Sequence, residues 1–196
     1  MHKTIAVLAG DGIGPEIITE AIKVLQAVAE KYHHSFTYEH ALMGAVAIDE
    51  TGNPLPDKTL EICKSSDAIL FGAIGDPKYD NDPNAKVRPE QGLLALRKAF
   101  NLFCNVRPVT IYDSLIDSSP LKRNRIEGVD LVIYRELTGG IYFGEKKEMN
   151  DKGVASDLCT YSKEEILRVA HLAFKAAGKR KNKLTLVDKA NVLASS

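Results

Sequence analysis

The run Ile5-Ala6-Val7-Leu8-Ala9 is apolar without a break, has the length of a strand, and stops at the loop Gly10-Asp11-Gly12-Ile13-Gly14-Pro15-Glu16. A strand with one wet face would alternate apolar and polar residues, whereas an unbroken run fits a strand covered on both faces, as in a parallel sheet. Parallel neighbours need a crossover connection, usually a helix. Pro15 suits the first turn of one, and Ile18, Ala21, Ile22, Leu25 and Val28 continue an apolar face at helical spacing. A chain that opens with strand, loop and helix in this way is committed to an α/β sheet.

The same alternation carries on. Phe36, Tyr38, His40 and Leu42 alternate with polar or small residues as a second strand with one better-buried face, and His40 belongs to that strand. Residues 51–57 read as a loop, with Asp57 placed to cap a short helix carrying Leu60, Ile62 and Cys63. Residues 68–71 form a third strand, which stops at Gly72. Residues 75–90 are rich in Pro, Asp and Asn and read as a long irregular loop, of a length that is uncommon in an α/β chain unless it binds or covers something. Helical periodicity resumes through Leu93, Leu94, Leu96 and Phe100, with Arg97 on a different face from Leu94, and residues 102–106 make a strand leading to Arg107-Pro108.

A change of subdomain is expected near residue 103, giving a first unit over 1–103 and an incomplete second unit over 104–196. Residues 114–124 are polar and turn-rich, and Leu131-Val132-Ile133-Tyr134 reads as a buried strand that delivers Arg135 to an edge. Gly139-Gly140 permits the positive φ of a tight reversal, which puts Tyr142 on the returning arm. Residues 144–157 suggest a protruding arm. Ser162 and Glu165 form a capping box that opens a helix through Ile166, Val169, Ala170, Ala173 and Phe174, ended by Gly178. The basic run Lys179-Arg180-Lys181 suits the solvated C-terminus of that helix. Leu184-Thr185-Leu186-Val187 reads as the last strand, with Asp188-Lys189-Ala190-Asn191 at its end and the first turns of a further helix beyond. There is no internal repeat and no low-complexity tract.

Composition narrows the partners. Lys plus Arg (26) equals Asp plus Glu (26), so no net field points to nucleic acid or to an anionic membrane. Cys63, Cys104 and Cys159 are widely spaced without a C-x-x-C pair, which fits reduced thiols. No signal segment and no spanning run of ~18 apolar residues occurs, so a cytoplasmic protein with small-molecule or protein partners is expected.

The residues that could do chemistry lie near the ends of elements. Arg97, Arg107 and Arg135 could converge on a di-acid, because a guanidinium fork grips a planar carboxylate with two hydrogen bonds. The phenol of Tyr142 can give or take a proton nearby. Lys189 could act as a base if neighbouring positive charge lowers its pKa. The stretch 135–144 alone would equally suit a plain hairpin with an exposed arginine and a core tyrosine. The first loop does not meet the dinucleotide fingerprint G-x-G-x-x-G of a Rossmann fold, since Pro15 takes the place of its last glycine, and Glu39 lies beyond the usual spacing of ~20 residues. No metal cluster is evident, because the histidines are scattered and His33-His34 has no carboxylate at ligand spacing.

Five stretches together carry a resemblance: AGDGIGPE (9–16), DAILFGAIGDPK (67–78), PEQGLLALRKAFNLFCNVRP (89–108), RELTGGIYFG (135–144) and VDKANVL (187–193). In combination the chain resembles the β-decarboxylating dehydrogenases, the isocitrate/isopropylmalate dehydrogenase family, on its isopropylmalate side, from residue 5 to residue 196. The resemblance implies a parallel-sheet first domain plus part of a second α/β domain with a protruding β arm, truncated relative to full members.

It also implies an NAD-dependent oxidation and decarboxylation of 3-isopropylmalate in leucine biosynthesis. Arg97, Arg107 and Arg135 would bind the malate carboxylates and hydroxyl, Tyr142 would protonate the enolate carbon, and Lys189 would act as general base, or assist one through water, in the active site of a homodimeric partner. Glu90, Leu93 and Leu94 match positions near the branched substrate side chain, with Val192 contributed across the dimer. The two leucines are expected to wall an isopropyl group, a poor setting for the third carboxylate of isocitrate, although Leu94 could equally just pack its helix. Ile13, Gly75, Glu90 and Asn191 would border NAD.

Magnesium or manganese would be the metal, its aspartate ligands falling beyond residue 196, so no metal ligand is expected in this chain. The chain alone is expected to be inactive. The alternatives are a non-catalytic short form that binds a full-length subunit, and a related tartrate or homoisocitrate dehydrogenase.

Overall fold

The computed structural model describes residues 1–80, 85–189 and 191–192. The chain divides into two compact units, Met1–Phe100 and Asn101–Ser196.

In the first unit, β1 (His2–Gly10) leads into α1 (Gly14–Tyr32), followed by β2 (Ser35–His40), α2 (Ala45–Thr51), α3 (Asp57–Ser65), β3 (Ala68–Ala73), α4 (Pro77–Asp80) and α5 (Pro89–Ala99). The sheet has the order β2-β1-β3 and both pairings are parallel, with Ile5 opposite Tyr38 on one side and Ala68 on the other. The central strand explains its own composition. Its side chains alternate between two cores, Ala6 and Leu8 joining Met43, Leu55, Cys63 and Leu96, while Ile5 and Val7 join Ile18. Strand β2 is an edge, so only Phe36 and Tyr38 reach the second core, and Leu42 lies past its end.

Four expectations for this unit need correction. Asp57 is the first helical residue of α3, and Pro56 holds the cap position with no side-chain bond. Val28 is exposed, so α1 turns only Ile18, Ile22 and Leu25 to the sheet. Residues 75–90 are not wholly irregular: α4 lies within them and α5 begins at Pro89. Helix α4 is tied to α2 by Asp49, which accepts from Lys78 Nζ at 2.5 Å and Tyr79 Oη at 2.8 Å. Finally, Leu94 and Arg97 are neighbours on α5, since three residues turn an α-helix by about 300°.

In the second unit, β4 (Cys104–Thr110) and β5 (Asp130–Glu136) form an antiparallel pair, with α6 (Arg123–Ile126) between them in sequence. A single 3-10 turn, Gly140–Tyr142, follows, then the short arm β6 (Lys146–Lys147) and β7 (Ser156–Asp157), and α7 (Lys163–Gly178). Ser162 caps α7, its hydroxyl accepting from Glu165 N while Glu165 Oε2 accepts from Ser162 N at 2.7 Å.

Helix α7 covers one face of the pair, through Arg168 to Glu136, and just past its end Arg180 pairs with Asp130. Lys181 adds a longer contact to Asp130, so part of the basic run is paired with a carboxylate and not simply solvated. The opposite face stays open, with Leu131 and Ile133 exposed, so β5 is not the buried strand its composition suggests. The expected last strand, 184–187, is not one: it pairs with no strand among the described residues, and Leu186 and Val187 are exposed. Of the expected final helix, residues 190 and 193–196 lie outside the described residues; the described remainder makes one turn, Val192 N donating to Lys189 O at 3.0 Å. No helix among the described residues is long and apolar enough to cross a membrane.

Candidate active site

The candidate residues fall on both units, and each unit builds its own part. In the first, β1 ends at Gly10, whose φ of +72° and closeness to Ala73 O, 1.9 Å from where a Cβ would sit, leave room for no side chain. The chain then turns at Asp11, a buried carboxylate the sequence reading did not single out. Asp11 Oδ2 accepts from Ala45 N at 2.8 Å and Gly75 N at 3.0 Å, and Oδ1 from Val46 N at 3.0 Å. One acidic side chain thereby joins the first loop, the start of α2 and the segment that follows β3. An acid directly after a fully apolar strand, between glycines, was the available signal.

This fastening sets Ile13 and Gly75. Ile13 caps α1 with its side chain exposed. A Cβ on Gly75 would lie 3.4 Å from Glu90 Oε1, so the Glu90 carboxylate stands beside the Gly75 backbone. Gly75 and Glu90 are therefore brought together. Leu93, Leu94 and Arg97 follow on α5, all half-buried. Leu93 packs against the Leu8 and Leu96 core, so it is Leu93, and not Leu94, whose position core packing accounts for.

In the second unit the β ladder does the placing. Asn105 pairs with Arg135 and Arg107 with Ile133, which puts both arginines on the open face of the sheet at diagonal ladder positions, whose backbones lie ~7 Å apart. Arg107 Nε donates to Asn105 Oδ1 at 2.7 Å, and this holds one guanidinium along the strand. The guanidinium carbon of Arg135 lies 5.7 Å from the centre of the Tyr142 ring, a cation–π contact. Tyr142 reaches it from the 3-10 turn and not from a returning strand. Of the two glycines only Gly140 has a positive φ, +77°, and a Cβ there would stand 2.5 Å from Tyr161 Oη.

Behind this group lies Glu136, also missed in the sequence. Its carboxylate accepts from Gly139 N at 2.7 Å, Thr138 N at 3.0 Å and Arg168 Nη2 at 2.9 Å. Burial opposes its charge, but the N–H groups of Gly139 and Thr138 and the Arg168 guanidinium outweigh it and hold the carboxyl below the usual glutamate range. Lys189, Asn191 and Val192 are exposed, and the Lys189 ammonium makes no hydrogen bond or ion pair among the described residues. Among the described residues no three His, Cys, Asp or Glu side chains gather as a metal site.

What such a set can do is bind a small poly-acid on paired guanidinium groups with a phenol alongside. The family model of isocitrate/isopropylmalate dehydrogenase matches residues 4–196. The chain belongs to this family. It is 56% identical over 196 residues to a 3-isopropylmalate dehydrogenase of Bacteroides fragilis, covering 100% of this chain and 55% of that protein. Over 200 residues it is 53% identical to the 3-isopropylmalate dehydrogenase of Bacillus subtilis, covering 100% of this chain and 54% of that one.

Among solved structures of the family's fold, an isocitrate dehydrogenase from Methylococcus capsulatus superposes with a TM-score of 0.79 at 29% identity, covering 100% of this chain and 53% of its own. A β-decarboxylating dehydrogenase from Thermococcus kodakarensis gives 0.68 at 33% identity, covering 98% and 50%. The chain thus spans about half the length of the relatives it matches.

Proposed function

We propose that this chain supplies substrate-binding and proton-donating residues of an NAD-dependent 3-isopropylmalate dehydrogenase, acting in the cytoplasm as a homodimer in leucine biosynthesis. The observation that carries the reading is the grouping of Arg107, Arg135 and Tyr142 on one open face of β4 and β5, in a chain more than half identical to proteins named for that activity.

Each residue has work suited to its place. Arg107 and Arg135 hold the substrate carboxylates by charge-assisted hydrogen bonds, and Arg97 adds a third cation. Tyr142 delivers a proton to the carbon left electron-rich when carbon dioxide departs. Lys189, in the partner's active site, takes the hydroxyl proton or relays it through water. NAD would supply the hydride acceptor, and Ile13, Gly75, Glu90 and Asn191 would line its place. Among the described residues no three His, Cys, Asp or Glu side chains gather as a magnesium or manganese site. Leu94, with Val192 across the dimer, gives an apolar wall for the isopropyl group, where a third carboxylate would lose its hydration unpaired.

The test is NADH formation with 3-isopropylmalate, isocitrate, homoisocitrate or tartrate as substrate and a divalent metal present. Protein from its native source is expected to prefer 3-isopropylmalate, and preference for another acid would overturn the reading. The isolated 196-residue chain is expected to be inactive, and metal-dependent turnover by it would overturn that part. The alternative reading is a non-catalytic form that binds a full-length subunit. An intact native mass matching 21.5 kDa, with no turnover, would decide for it.

A further inference from the structure

Tyr142 stands on a turn that the rest of the second unit grips from behind. Glu136 is the residue after Arg135 on β5, so its side chain leaves on the opposite face of the strand. There it closes the turn on itself, taking the N–H groups of Thr138 and Gly139 and the hydroxyl of Thr138, the last at 3.1 Å. Arg168, two turns into α7, completes the knot. Its Nη2 donates to Glu136 at 2.9 Å and also contacts Thr138 Oγ1, Nη1 donates to Asn101 at 3.2 Å, and the guanidinium carbon lies 4.9 Å from the centre of the Phe103 ring.

The N-terminal end of α7 closes the other side. Gly140 N donates to Thr160 O at 2.8 Å, and a Cβ on Gly139 would meet Glu165 Oε2 and Tyr161 Cδ1 at 3.1 Å. The Glu136 carboxylate is only 11% exposed and Arg168 27%, while Arg168 Nε is buried with no partner among the described residues. A buried donor left without an acceptor is costly, so the fork is held where it is by its other contacts and not for its own solvation.

We propose that Glu136 and Arg168 are positioning residues for the Tyr142 phenol: through residues 138–140 they let helix α7 fix where the ring stands against Arg135. This rests on the reading of Tyr142 as proton donor, but its structural half can be tested without it. Only Ile141 separates the gripped Gly140 from Tyr142 inside one 3-10 turn, so a slip of the turn passes directly to the ring. A displacement of about 1 Å at a reacting group can cost on the order of a hundredfold in rate. The arginines that bind the carboxylates lie on the ladder of β4 and β5 and are set by strand pairing instead.

The experiment places 3-fluorotyrosine at position 142 alone and follows its 19F signal in the chain. Arg168→Met and Glu136→Gln are expected to shift or broaden it, and Arg168→Lys to do so less. Arg180→Met, which removes the more distant pair with Asp130, is expected to leave it in place. Thr138→Val, which deletes one hydroxyl, takes over the test if Arg168→Met does not fold. An unmoved signal in folded Arg168→Met and Glu136→Gln, or one that moves equally in Arg180→Met, overturns the proposal.

In the active dehydrogenase the same two variants are expected to lower kcat by about a hundredfold with KM for the acid substrate within about twofold. A raised KM with unchanged kcat overturns it as well. A signal that moves in a protein whose unsubstituted form turns over no acid supports the positioning and sinks only the assigned function.

Discussion

Glu136 is held ionised by its neighbours, and this has a consequence for pH. Burial works against its charge, but the N–H groups of Gly139 and Thr138 and the guanidinium of Arg168 leave its pKa lowered. A carboxyl with a lower pKa in the folded than in the unfolded chain binds fewer protons when folded, so its stabilisation is complete above the unfolded value of about 4.3 and is lost as pH falls through the folded one. Glu136→Gln is therefore expected to lower stability at neutral pH, with a deficit that shrinks below about pH 4. Urea midpoints of both proteins across that range check it, and a deficit that persists unchanged at low pH would count against the assignment.

At this scale the chain was unevenly legible. Arg107, Arg135 and Tyr142 could be named from the sequence because charge and phenol carry their chemistry openly, although Arg107 lies in the middle of β4 and not just past a strand end as its sequence suggests. Glu136 could not, and Asp11 only by its setting between glycines after an apolar strand, because what distinguishes both is the backbone N–H groups they accept from, and sequence pattern does not display a carboxylate turned inward.

Elements were readable where local and tertiary signals agree. The unbroken apolar run of β1 predicts cover on both faces, and the two cores provide it. The capping box of α7 has local geometry and appears as expected. Removing the cap with Ser162→Ala is expected to cost about 1 kcal/mol, read as a lowered urea midpoint with an unchanged slope; no loss would mean that Arg168 and Arg180 alone hold the helix in place. Segments 131–134 and 184–187 misled because their apolar composition reports how well they would fit a covered strand, while cover and a pairing partner must come from elsewhere. Leu131 and Ile133 have neighbours in β4 but no cover on the open face, and Leu186 has neither among the described residues.

Across the molecule, apolar burial is distributed unequally. Both core clusters belong to the unit Met1–Phe100, whereas in the other unit the buried apolar side chains among the described residues are Ile116, Ile126 and Ala173. Leu167, Phe174, Leu131 and Ile133 lie exposed there. Stability within a protein follows local burial, and exchange of amide hydrogens reports it. The amides of β1 are expected to exchange most slowly and those of β4 and β5 sooner, with an apolar dye bound by the isolated chain. Equal protection in the two units, or a sharp single thermal transition without dye binding, would contradict this.

The placement of β1 at the centre of its sheet also dictates an order of events during synthesis. Its partners are β2, ending at His40, and β3, ending at Ala73, so the apolar run 5–9 is made before either strand that flanks it. Parallel pairing across such separations is slow, and unpaired apolar strands associate with one another. Until Ala73 has left the ribosome, residues 5–9 have no completed sheet to enter, and this nascent segment is where a chaperone would be needed.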